Sequence, residues 1–362
     1  MKKLLIHIFV MSATLIWLGI VGCEQPIDTP EPVPIPKIGD TSYVEKNIWS
    51  GIFKKPRAII YGLDQLLYVA DTENNRIVML NQAGQILSVS KPIRKPISIA
   101  QDLKLDLLVG AETIEPNGDT IGVVLRIKLV TASHNLNNAQ IDTVWKEPAR
   151  PKRRFVGIGI ILNNEYLVVR DGPDNSSVVD PDARVLRFKY RPNEIKKDVF
   201  ITPLGELQSG PGNSITHINR PTGIATFPNS GDFIVTQRSD GVQYSAIWMA
   251  FTKNQDFEGW LPKFDPTNAD QRSIEFISPN RFRNAAGVGI DRIRRDIFVV
   301  DSQLDSVAKF NNRGKFKVES FGKKTHGITL NHPGGVAVAE NTLYICDTEN
   351  NRIVLYRLST DN

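Results

Sequence analysis

Cysteine is scarce in this chain of 362 residues: there are two, Cys23 and Cys346. No C-x-x-C pair can form from them, which excludes zinc-ribbon and thioredoxin-type chemistry. A G-x-S-x-G elbow and a phosphate-binding glycine loop are also missing. No stretch of the mature part keeps apolar residues at helical spacing, so short strands must carry the fold. Strong net charge is missing as well. The formal charge of +5 falls to +3 once Lys2 and Lys3 are set aside, too weak to call for nucleic acid by itself.

The first long apolar run is at the start, "MKKLLIHIFVMSATLIWLGIVGC". Two lysines followed by such a run read as a secretory signal, with an uncleaved anchor helix as the rival. Ile20-Val21-Gly22-Cys23 resembles the bacterial lipobox. That resemblance implies cleavage before Cys23 and a diacylglycerol on its thiol, hence an exported, membrane-anchored protein on the periplasmic or cell-surface side. Position 24 is Glu, which by resemblance to enterobacterial sorting rules gives no inner-membrane retention. Prolines at 26, 30, 32, 34 and 36 follow. They favour a semi-rigid spacer of about 3.1 Å per residue. Residues 1–22 thus read as signal, 23–40 as linker and 41–362 as the folded part. Cys346, inside the apolar "LYIC", reads as a buried structural thiol.

The folded part repeats itself. "DTENNRIV" occurs at Asp71–Val78 and again at Asp347–Val354. Around each copy stand a short apolar strand, a turn, a second apolar strand ending in Asp, a polar turn and a third strand. Four weaker copies lie between: "PISIAQDLKLDLLVGAE", "RFVGIGIILNNEYLVVRD", "PTGIATFPNSGDFIVTQRSD" and "AAGVGIDRIRRDIFVVDSQLDSVAKF". In the twin copies Asp71 and Arg76, and likewise Asp347 and Arg352, are placed to staple the turn, while the asparagines between them tolerate left-handed backbone. The first strand of most units carries a small residue: Ala58, Gly157, Gly223, Gly287 and Gly335. Strands converging on one axis need such residues. Second strands are apolar on both faces, as in stacked sheets.

"P-x-G-V-A-V…L-Y-x-x-D-T-x-N-N-R-I-V" resembles the NHL repeat, and six units resemble an all-β, six-bladed NHL-type β-propeller. The sixth unit ends after its third strand, whereas "TSYVEKNIWSGIF" precedes the first with no blade of its own. The N-terminal strand is therefore expected to complete the last blade and close the ring.

In such a ring the loops after second strands and after outer strands share one face, where binding is expected. Long segments at 112–122, 170–183 and 207–220 belong there, and the segment around 256–272 is expected on the opposite face. Candidate binding residues are Glu112, Arg154, Arg170, Asp171, His217, Arg220, Arg238, Asp240 and Asp301. The expected function is a non-catalytic binding or assembly module, a monomer taking a protein or small polar ligand on this face, with no nucleic acid. RNA binding is known among cytosolic NHL relatives, but an export signal argues against it. No cofactor is expected, although a divalent cation such as calcium has weak candidate ligands in Glu112, Asp171, Asp174 and Asp301. The alternative is a metal-dependent hydrolase, lactonase or lyase at the channel mouth. Amidating lyases of related fold use three histidines, but His134, His217, His326 and His332 do not occupy equivalent places in the repeats.

Overall fold

A computed structural model describes residues 41–195, 197–322 and 329–359. Cys23, the signal, the linker and His326 lie outside them. Six four-stranded antiparallel sheets form the blades of a propeller. The innermost strands of blades 1 to 6 are Pro56–Tyr61, Ser98–Gln101, Arg154–Ile160, Pro221–Thr226, Ala285–Ile290 and Val336–Ala339. The second strands are Leu67–Asp71, Leu107–Ile114, Glu165–Asp171, Phe233–Gln237, Ile297–Asp301 and Thr342–Asp347. Their two apolar faces pack against both neighbouring blades. In blade 1, Leu67 and Val69 meet Tyr344 and Cys346 of blade 6, while Tyr68 and Ala70 meet Val109 of blade 2. Cys346 is fully buried, and burial pushes its thiol pKa up, away from reactivity.

The ring closes as its sequence suggests. Tyr43–Trp49 pairs antiparallel with Arg352–Leu358 as the outer strand of blade 6, from Tyr43 opposite Leu358 to Trp49 opposite Ile353. Every strand of the ring thus lies within residues 41–359, which form one compact unit.

The small residues of the innermost strands let adjacent blades touch through backbone. A Cβ on Gly287 would stand 2.4 Å from the Gly334 carbonyl oxygen, and one on Gly335 would stand 2.9 Å from that of Arg57. Just before this small residue, four blades share a bulge. The pairing skips between Pro56 and Ala58, Phe155 and Gly157, Pro221 and Gly223, and Ala285 and Gly287. A bulge re-aims one side chain. Here it presents Arg57, Val156, Thr222 and Ala286 to the central channel, which all four line.

In five blades a residue at the end of the second strand, or one place before it in blade 3, anchors the loop arriving from the preceding blade. Asp71 accepts hydrogen bonds from the Lys54 amide (2.7 Å), Asn74 Nδ2 (2.8 Å) and Arg76 Nε (2.8 Å). Asp347 repeats this with the Asn331 amide (2.7 Å), Asn350 Nδ2 (2.8 Å) and Arg352 Nε (2.7 Å). Blade 5 uses Asp301, which accepts from the amides of Arg283, Asn284, Gln303 and Leu304. Blade 4 has Gln237, accepting from the Asn219 amide. Blade 3 reverses the charge. Arg170 takes the position and is met by Glu147 and Asp180.

The segment after the outer strand of blade 4, Glu258–Pro262, departs from expectation. Residues 263–284 do not project from the opposite face. They leave the loop-rich face, descend the flank of blade 5 until the Phe276 amide donates to the Gly314 carbonyl, and return to that face at Arg283. The cause is apolar: Phe264, Phe276, Ile277 and Phe282 pack into the core beside blade 5, whose outer strand is only Phe321–Gly322.

Candidate functional site

The residue after each anchor faces the start of the next blade. Thr72 and Thr348 fill this place in blades 1 and 6 by donating hydroxyls to the Pro96 and Pro56 carbonyls. In blades 2, 3 and 4 the place is charged: Glu112, Asp171 and Arg238. Glu112 pairs with Arg154 (2.9 Å) and Arg94 (3.5 Å). Asp171 lies 3.3 Å from Arg220 Nε, at an angle too skewed for a hydrogen bond. Burial raises the Asp171 carboxyl above the usual carboxylate range, against the lowering pull of Arg220 and Arg238.

Above the channel lies Arg57. The bulge in blade 1 sends its side chain towards blades 3 and 4, near enough that Asp171 and Arg238 act on its charge. Water reaches the guanidinium, yet protein walls it closely enough that desolvation, then Arg238, lower its pKa. Among the described residues, the side chains of Arg57 and Arg238 have no hydrogen-bonding or ion-pair partner. Around this mouth the guanidiniums of Arg57, Arg94, Arg154, Arg220 and Arg238 outnumber the carboxylates of Glu112 and Asp171. The excess is positive, and it centres on two free cations.

Beneath the mouth, the axial channel forms a cavity of about 630 Å³ lined by all six innermost strands. Small-molecule sites span about 300–1,000 Å³.

The structure brings together five candidates named from sequence, Asp171, Arg220, Arg238 and, beside them, the Glu112–Arg154 pair, and disperses the rest. Arg170 and Asp301 are buried anchors, 4% and 1% exposed, with their polar atoms engaged. His217 sits under the Gly212 turn, its Nδ1 buried without a partner. Asp240 is exposed, and its carbonyl accepts from Asn219 Nδ2. Asp174 is exposed and caps Ser176, well apart from Asp171 in its contacts. The neighbouring Asp180 and Asp182 are bound by the buried Arg153, together with Glu147, although Asp180 itself is exposed. His134 lies on the lower face, its Nδ1 3.8 Å from Asp64.

A metal would need converging donors. Among the described residues, no three His, Cys, Asp or Glu side chains converge on one point. Glu112 and Asp171 face arginines, and Asp301 faces amides. This donor set does not fit a divalent cation.

Arg57 was not among the candidates read from sequence. The signal was present in the repeat column before the small residue, which reads Arg57, Ile97, Val156, Thr222, Ala286 and Gly334. Only one member is charged.

These features define a six-bladed β-propeller with a cationic channel mouth. Residues 330–356, within blade 6, match the NHL repeat. No curated protein sequence matches this chain. Similar solved structures include an auxiliary nutrient binding protein from Bacteroides thetaiotaomicron, at 11% identity and TM-score 0.57 over 85% of this chain and 70% of that one. A glucose dehydrogenase aligns at 12% identity and TM-score 0.55, over 88% of this chain and all of the other. A gluconolactonase from Xanthomonas campestris aligns at 12% and 0.54, over 89% and 91%. At such identities the likeness is one of fold.

Proposed function

We propose that this protein is a non-catalytic binding module, exported and tethered through a lipid on Cys23, that holds a small anionic ligand at the upper channel mouth. One observation carries the reading: Arg57 and Arg238 are unpaired guanidiniums over a cavity of about 630 Å³. A charged donor left without a partner in a walled site favours an anion that supplies one. Cys23→Ser is expected to move the protein from the membrane fraction to the soluble one. Unchanged membrane retention would refute the lipid anchor.

The mouth is tested by calorimetric titration of citrate and inorganic phosphate into the propeller lacking residues 1–40. Arg57→Met should weaken binding by about 10- to 100-fold, the worth of a charge-assisted hydrogen bond. Asp171→Asn should tighten it by removing the competing carboxylate. The same variant has a stability signature. Because the Asp171 pKa is raised in the folded state, its contribution is fully present at acid pH and is lost as pH rises through the folded value. Asp171→Asn should therefore melt higher than the parent at neutral pH and equal to it in acid. Anion binding indifferent to both substitutions would overturn the reading.

A further inference from the structure

The wall below the mouth says more about the ligand than the mouth does. The charged residues lining the cavity are Arg57 at the top and Arg292 at the bottom, and no acidic side chain lines it. Between them the wall is polar and apolar in similar measure, and its aliphatic part is a band of Ile60, Ile97, Val156, Ile224, Val288 and Ile290, half-buried towards the axis. Polar groups on the upper wall are already engaged: Ser98 donates to the Phe155 carbonyl and Thr222 to that of Ala285. The two arginines differ in the same respect. Arg292 crosses the lower rim from blade 5 to blade 1 and donates to the carbonyls of Tyr61 (2.6 Å) and Gly62 (3.0 Å). Among the described residues Arg57 donates to nothing. The free charge is at one end only, and apolar surface runs down from it to Leu63 and Leu103, both exposed at the lower rim.

From this juxtaposition we infer that the ligand is an amphipathic carboxylate, its head on Arg57 and Arg238 and an unbranched hydrocarbon tail in the axial channel. The inference rests on the anion-binding reading above and adds the tail. A small hydrophilic anion would leave these six aliphatic side chains in contact with water, whereas a hydrocarbon chain covers them. The innermost strand of blade 1 has six residues. At about 3.3 Å per residue such a strand spans roughly 20 Å, room for a medium-length chain in extended form.

The test titrates saturated carboxylates of four, eight and twelve carbons, and 1-dodecanol, into the propeller below their aggregation thresholds. Affinity should rise with length by about two- to fourfold per methylene. Dodecanol should bind at least tenfold more weakly than dodecanoate, and Arg57→Met should erase that difference. Val288→Phe, which narrows the channel below the level of Arg57, should flatten the length dependence while leaving the shortest acid unaffected. The chain-length series on the unaltered protein decides the matter even if that variant does not fold. Binding that depends on Arg57 but not on length removes the tail and keeps the anion site. Binding that grows with length but ignores the charge removes the anion site, and with it this proposal. No binding by any member removes both.

Discussion

Deleting residues 41–54 is expected to leave a chain that elutes as oligomers and melts without a sharp transition. The segment supplies the outer strand of blade 6, and its loss uncovers the edge of Arg352–Leu358 along the whole pairing from Ile353 to Leu358. It also removes three aromatic anchors that are only 5–6% exposed: Tyr43, Trp49 and Phe53. Tyr43 packs against Phe298 and Phe321 of blade 5, and Trp49 against Tyr344 of blade 6. Trp49 also fills a slot left open by Gly84, where a Cβ would stand 2.4 Å from the indole ring. Removing one buried aromatic costs about 3–5 kcal/mol. Two or three of them match most of the 5–15 kcal/mol that holds a typical domain folded. The milder double variant Tyr43→Ala/Trp49→Ala should lower Tm by about 15 °C or more. Adding the 41–54 peptide in trans should restore part of the monomer, because strand addition at an open edge uses the same backbone bonds. Calorimetry and gel filtration read the result, and a deletion that melts like the parent would sink the account of closure.

This closure was legible because both halves of its argument lie in local text: an orphan strand before the first repeat and a missing strand after the last. The small-residue column was legible for a similar reason, since a residue type repeated at one place in each unit reports a shared geometry. What stayed hidden involves partners from different units. Arg170 looked like a loop cation on the binding face, yet it occupies the anchor place held elsewhere by Asp71, Asp301 and Asp347, with its counter-charges in Glu147 and Asp180. Asp301 looked like a binding-face residue and a weak metal ligand, but Ser306 stands opposite it in place of an arginine and backbone amides take the carboxylate. The segment around 256–272 looked like a protruding loop because its length was read before Phe264, Phe276 and Phe282. Arg57 was passed over because one arginine after a proline carries no signal until the six units are stacked and the bulge is known.

Arg126 is the extreme case of a partnership that no local pattern announces, and its replacement should have the second-largest effect. It sits in "VVLRIK", on the third strand of blade 2, where the text reads as core, and it is 2% exposed. Its Nη1 meets Asp102 at 2.5 Å, while Nε and Nη2 grip Asp198 of blade 3 at 3.0 and 2.6 Å. Tyr166 donates to the same Asp198 at 2.9 Å, and the Tyr190 ring lies 4.6 Å from the guanidinium. The network joins two blades through one cation between two buried carboxylates. Taking the cation away leaves both carboxylates without their counter-charge, which costs about 3–5 kcal/mol for a broken buried pair. Arg126→Met is therefore expected to lose that much in urea unfolding, with an unchanged slope if blades still unfold together. The triple variant Arg126→Met/Asp102→Asn/Asp198→Asn should recover more than half of it, because most of the loss is stranded charge and little of it is lost packing. A single variant within 1 kcal/mol of the parent, on the scale where such pairs cost about 3–5 kcal/mol, would mean that water or a neighbouring side chain reaches the carboxylates. The same logic sets the two kinds of arginine apart. Arg126 is held by carboxylates on both sides and fixes blade 2 to blade 3, while Arg57 has no hydrogen-bonding or ion-pair partner among the described residues and joins no blades.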